Sequence, residues 1–129
     1  MKTLVVGSGG REHAIADTLA QSPRVSKVFS APGNAGTRLV GENLPVGADD
    51  LPGLAAAAET NGIELTVVGP EVPLSLGVVD LFRGRGLPVI GPTAAGARLE
   101  ASKAFAKHLC DRQKIPTAAY VECGTPEEA

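Results

Sequence analysis

The chain has 129 residues, enough for about one domain, and its 12 Lys+Arg against 14 Asp+Glu leave a net charge of −2 with His neutral. That balance excludes a protein that coats nucleic acid, which needs a basic excess to neutralise phosphates. A hydrophobic fraction of 43% with 20% charged residues excludes a highly charged disordered chain. With aromatics at 3% and no Trp, a core has to be built from Val, Leu, Ile and Ala, the mix of buried parallel strands covered by helices.

The first strand is Leu4-Val5-Val6, closed by Gly7. The glycine turn comes too early for a signal peptide, and no apolar run approaches the ~18 residues of a membrane span. A helix follows from about Arg11 to Gln21, with Ile15 and Leu19 on one face and Pro23 beyond its end. Val28-Phe29 reads as the second strand. Asp49 or Asp50 caps a second helix, with Pro52 in its first turn and Asn61-Gly62 after its end. Leu65 to Val68 is a strand closed by Gly69. Leu74, Val78, Leu81 and Phe82 recur at helical spacing in a third helix that ends at Gly84 and Gly86. Val89-Ile90 is a strand closed by Gly91. A fourth helical stretch carries Phe105 and Leu109, Ile115-Pro116 marks its exit, and Thr117 to Val121 reads as a further strand.

Strands that end in glycine and lead into helices are βα units, and right-handed crossovers assemble them into an open, doubly wound parallel α/β sheet with helices on both faces. Residues 1–92 form this domain. Gly91-Pro92-Thr93 reads as a linker, and residues 93–129 as the start of a second domain. Thr125-Pro126-Glu127-Glu128 is a helix start signal with only Ala129 behind it, so a chain cut from something longer is expected. Cys110 and Cys123 form no CxxC pair and no disulfide framework. A reduced cytoplasmic setting is expected, with no membrane or nucleic-acid partner. His108 and Cys110 are too sparse for a zinc site.

Three loops lie at C-terminal strand ends, where open α/β sheets bind ligands. The first, Gly7-Ser8-Gly9-Gly10-Arg11-Glu12-His13, follows a strand and opens a helix. Its glycines let backbone N–H groups approach an anion at the helix N-terminus. It departs from the dinucleotide fingerprint GxGxxG, because Glu12 stands where the third glycine would let helix and strand pack closely. The second strand end, Phe29-Ser30-Ala31-Pro32-Gly33, offers no carboxylate for a ribose hydroxyl. NAD and FAD are therefore not expected, and without Gly-Lys-Ser/Thr there is no Walker A loop. Arg11 and His13 stand where an anion would lie; a surface arginine and a capping histidine fit equally well. Glu12 reads as a helix cap acting through the macrodipole. The second loop is Ala31-Pro32-Gly33-Asn34-Ala35-Gly36-Thr37, and the third is Val68-Gly69-Pro70-Glu71. Each alone is a plain turn; three on one edge point to a small polar ligand, with the Glu71 carboxylate suited to sugar hydroxyls or an amine. Lys103, in Leu99-Glu100-Ala101-Ser102-Lys103, is by itself one helix lysine. No nucleophile–base arrangement stands out.

Taken together with Ala104-Phe105 and Ile115-Pro116-Thr117-Ala118, these strings resemble the N-terminal part of the glycinamide ribonucleotide synthetase (phosphoribosylamine–glycine ligase) family across nearly the whole chain. The resemblance implies a Rossmann-like pre-ATP-grasp domain followed by the start of an ATP-grasp domain. It implies a ligase of purine biosynthesis that joins glycine to 5-phosphoribosylamine at the expense of ATP, through a glycyl phosphate, with Mg²⁺ or Mn²⁺ on the nucleotide phosphates. Gly9, Gly10, Arg11, His13, Gly33, Asn34, Gly36, Thr37, Gly69, Pro70 and Glu71 would face phosphoribosylamine, and Lys103 would reach the ATP phosphates. It assigns no catalytic residue and no metal ligand to this stretch. The family's phosphate lid, adenine-binding strands and metal-holding carboxylates lie beyond Ala129, so the chain alone is expected not to turn over. Alternatives are a stand-alone sugar-phosphate binding module and a folded fragment that binds nothing.

Overall fold

The computed structural model describes residues 1–128. Its centre is β1 (Lys2–Gly7), in which Leu4, Val5 and Val6 are wholly buried. A strand covered on both faces reads as such an unbroken apolar run. On one side β1 pairs with β2 (Lys27–Pro32), and β2 pairs with the short β3 (Glu42–Asn43). On the other side β1 pairs with β4 (Leu65–Val68), and β4 pairs with β5 (Val89–Ile90). Every pairing is parallel and the order is β3-β2-β1-β4-β5. The expected doubly wound α/β sheet is what the chain forms.

The pleat sends Val5 to one face, where α1 (Gly10–Ala20) packs Ala16, Ile15 and Leu19 against Val5 and Val28. Leu4 and Val6 point to the opposite face. There they meet Leu54, Ala55 and Ala58 of α3 (Leu51–Asn61) and Val78, Val79 and Phe82 of α5 (Val78–Gly84). Asp50 caps α3 by accepting from the Gly53 N–H at 3.0 Å, and Gly62 ends it in the left-handed conformation (φ 63°). Among the described residues no helix is long and apolar enough to cross a membrane.

Helix α2 (Thr37–Val40) and β3 were not expected from the sequence, and the structure departs from the expectation at four further places. The third helix is two helices, α4 (Glu71–Ser75) and α5, because Gly77 takes a left-handed φ of 92° between them. The fourth helical stretch is α7 (Lys103–Gln113), but an unexpected helix, α6 (Ala94–Ala101), precedes it; Ser102 between them is extended, and its hydroxyl accepts from the Phe105 N–H at 3.3 Å and so caps α7. Helix α6 packs on α4, burying Ala97, and the Asp80 carboxylate of α5 accepts from the Ala94 N–H at 2.8 Å. Residues Thr117 to Val121 are not a strand. They lie along α7, where Lys107 Nζ donates to the Thr117 hydroxyl (2.7 Å) and the Ala118 carbonyl (2.8 Å). Strand propensity needs a neighbouring ladder, and none is offered among the described residues. Finally, Thr125 leads into one 3₁₀ turn, Pro126–Glu128, with the Glu128 carboxylate accepting from the Gly124 N–H at 2.7 Å; Ala129 lies outside the described residues.

Leu54 is fully buried where α3 meets the sheet. Leu54→Ala should lower unfolding stability by about 2–5 kcal/mol, read as a shifted urea midpoint with an unchanged slope.

Candidate functional site

The first loop is organised by Glu12. Gly9 precedes α1 and has no side chain to cap it. Glu12, at the third helical position, reaches back and accepts the Gly9 N–H through Oε2 at 2.7 Å. Its Oε1 accepts from Arg11 Nε at 2.9 Å, and the residue is only 4% exposed. The space for this side chain comes from glycines on two loops. A Cβ on Gly7 would lie 2.7 Å from Glu12 Cγ and 2.9 Å from Pro70 Cδ, and one on Gly9 would lie 2.7 Å from Oε2. A Cβ on Gly69 would overlap Oε1. Glu12 thus caps α1 by a direct hydrogen bond rather than only through the macrodipole, and it joins the first loop to the third. The Gly9 N–H, which the sequence suggested for an anion, is committed to this carboxylate. Around Gly10, by contrast, a Cβ would meet open space.

Arg11 keeps its side chain 60% exposed. Its hydrogen bond to Glu12 raises the guanidinium above its ordinary value, against a desolvation effect, and the charges of Glu12, Glu71 and Glu100 add to the rise. Glu71 and Glu100 therefore each sit within electrostatic reach of Arg11.

Asn34 ties the second loop to the first. Its Nδ2 donates to the carbonyls of Ser8 (2.8 Å) and Gly9 (3.2 Å), and Gly33 N–H donates to the Gly7 carbonyl (3.1 Å). Asn34 Oδ1 accepts from the N–H groups of Gly36 (2.7 Å) and Thr37 (3.0 Å). Thr37, wholly buried at the start of α2 (Thr37–Val40), accepts from the Asn34 N–H at 2.7 Å. Its hydroxyl lies 2.8 Å from Asn43 Oδ1, while Asn43 Nδ2 donates to the Asn34 carbonyl at 2.8 Å. Asn34 and Thr37 thus spend their polar atoms building the loop. Asn43 completes the network and was missed in the sequence, where no spacing links it to residue 34. The His13 ring lies against Gly36, where a Cβ would overlap it.

In the third loop Gly69 N–H donates to the Val6 carbonyl at 3.1 Å, Pro70 precedes α4, and Glu71 is exposed as its first residue. The three loops meet where β1 has β2 on one side and β4 on the other, the point at which an open α/β sheet changes winding direction. They bring together Gly9, Gly10, Arg11, His13, Gly33, Asn34, Gly36, Gly69, Pro70 and Glu71. What this platform presents outward is a guanidinium, a half-buried imidazole and a carboxylate, over backbone stripped of side chains. Such a set suits a small, polar, anionic ligand.

Lys103 is not part of this platform. It is exposed at the start of α7, beside a separate cleft of about 240 Å³ lined by Lys103, Ala104, Lys107, Tyr120, Val121 and Glu122. Tyr120 donates its hydroxyl to Asp111 at 2.6 Å. That hydrogen bond, with burial and the Asp111 charge behind it, pushes the phenol up from 10.0 to about 12. Among the described residues no three His, Cys, Asp or Glu side chains are grouped as a metal site.

The family model described as "Phosphoribosylglycinamide synthetase, N domain" matches residues 1–100. The chain belongs to this family. The chain is 57% identical over 122 residues to phosphoribosylamine–glycine ligase of Escherichia coli K12 and 55% identical to that of Vibrio cholerae. Both alignments take in 93% of this chain and 28% of the relative, so it spans less than a third of the length of these relatives. The crystal structure of phosphoribosylamine–glycine ligase from Thermotoga maritima superposes with a TM-score of 0.70 at 32% identity, over 99% of this chain and 29% of that one. The biotin carboxylase domain of a single-chain bacterial carboxylase shares the fold at 14% identity and a TM-score of 0.70, over 98% of this chain and 32% of that one. Within this phosphoribosylglycinamide synthetase N domain, the chain places its own three glycine loops on one edge of the sheet.

Two measurements check this geometry. Gly69→Ala should cost about 1–3 kcal/mol, since a methyl there must displace buried Glu12. Tyr120 is the sole tyrosine and there is no Trp, so absorbance at the phenolate band reports it alone. Its titration should centre near 12, and Asp111→Asn should return it towards 10.0. Because the folded value is raised, the contribution of this hydrogen bond to stability is complete below pH 10.0 and lost as pH rises through about 12.

Proposed function

We propose that this chain is the substrate-side part of a phosphoribosylamine–glycine ligase of purine biosynthesis, working in the cytoplasm, and that the three-loop platform receives 5-phosphoribosylamine. The observation that carries the reading is the convergence of Arg11, His13 and Glu71 on loops locked together by Glu12 and Asn34. Arg11 would meet the phosphate, where a planar guanidinium forms charge-assisted paired hydrogen bonds. Glu71 would hold a ribose hydroxyl or the amine. The bare backbone at Gly10 would let the sugar approach closely.

The whole reaction joins glycine to this amine through a glycyl phosphate at the expense of ATP, with Mg²⁺ or Mn²⁺. Residues 93–129 open the nucleotide-binding domain, and Lys103 reaches the ATP phosphates from its own cleft. The described residues do not fit the divalent ion, for want of grouped ligands. The part of this chain is therefore to bind and orient, and by itself it does not form glycinamide ribonucleotide. Glu12 fills the space that a dinucleotide fold leaves open between its glycine loops, which argues against NAD or FAD.

Ribose 5-phosphate, a stable stand-in for the amine, should shift the amide resonances of residues 9–13, 33–37 and 69–71. Glu71→Ala should weaken its binding by about 1–3 kcal/mol. Shifts confined to other surfaces, or micromolar binding of NADH at these loops, would sink the reading.

A further inference from the structure

We propose that Glu12 is a positioning residue: it fixes the Arg11 guanidinium by its Nε edge and sets the gap to the 69–71 loop, so that Arg11 is oriented to hold the anion. The inference rests on the ligand proposed above and names the device that orients it.

A carboxylate as buried as Glu12 is costly unless its oxygens are satisfied. Here they are divided between two parts of the site, Oε2 on the Gly9 N–H at 2.7 Å and Oε1 on Arg11 Nε at 2.9 Å. The first contact takes up an amide that a helix N-terminus would otherwise offer to an anion, and it places a negative charge at that terminus. The second uses the inner edge of the guanidinium. Among the described residues the two terminal nitrogens of Arg11 make no hydrogen bond or ion pair, so the outer edge of the fork is left free on an exposed side chain that feels the charge of Glu71. Arginine is suited to this because its donors are rigidly arranged, whereas a lysine ammonium cannot be anchored at one edge and offered at another. The length of the side chain matters as well. Glu12 touches the positions where Gly7, Gly9 and Gly69 lack a Cβ, so it acts as the spacer between the first and third loops.

The test uses the 129-residue chain with ribose 5-phosphate as the probe, measured by calorimetry. Glu12→Gln keeps the shape but turns one acceptor into a donor facing Gly9 or Arg11. It should weaken binding about tenfold, with the β1 and β4 amide resonances in place. Arg11→Lys, at an exposed position that keeps its charge, should weaken it comparably. In an Arg11→Ala background Glu12→Gln should add little, since a residue acting through Arg11 has nothing left to orient. Full additivity of the two losses would mean that Glu12 serves the fold alone and would overturn the proposal. So would wild-type affinity in Arg11→Lys, which remains decisive even if Glu12→Gln fails to fold. Wild-type protein that does not bind ribose 5-phosphate at all would overturn the ligand reading and this inference with it. Tight binding by the wild type and by both variants would overturn this inference only.

Discussion

The architecture of the ligand edge depends on one buried carboxylate. Glu12 sits at the foot of α1 with almost no exposure and finds both of its partners within its own turn. A charge in that position is tolerable only if its neighbours draw in close, and they do so by having no side chains. Gly7 and Gly9 stand on one loop and Gly69 on another, so the same glycines that leave backbone open to a ligand also admit the group that holds the loops together. Openness towards the ligand and closure beneath it are two sides of one packing arrangement.

The second tie has a different character. Asn34 reaches across to the Ser8 and Gly9 carbonyls and anchors its own loop through Thr37 and Asn43. This is a neutral network with its polar atoms paired, the kind that rigidifies without the desolvation cost of a charge. The β1 loop is thus held from one side by an ion and from the other by amides. Arg11, His13 and Glu71 are left as the side chains facing outward.

Much of this was legible in the sequence. The buried strands announce themselves as short β-branched runs closed by glycine, and α3 by Asp50, Pro52 and Gly62, because those signals act within a few residues. The three loops could be placed on one edge from parallel topology alone. What could not be read is what lies between them. Glu12 and Gly69 are far apart in the chain, and only the folded distance shows that the glutamate expected to crowd the packing is accommodated by glycines elsewhere. The pair β2–β3 rests on two residues, Glu42 and Asn43, too few to show a period. Gly77 was visible as a glycine, but the apolar spacing ran through it and hid the left-handed break. Thr117 to Val121 has strand-like composition without a ladder to join, so side chains of α7 claimed it instead.

The brevity of the two outermost strands carries a consequence for the molecule among its own copies. β3 and β5 each contribute only two residues to the ladder. A long, flat border would invite another chain to continue the sheet, and proteins avoid this with short or covered edges. Here the hydrogen-bonding groups that face outward on either side span too little to register an incoming strand. The long strand, buried from Thr3 to Gly7, sits in the middle, where no stranger can reach it. At high concentration, then, the sheet should resist templated growth through its margins even though its interior is rich in the valine and leucine that such growth favours.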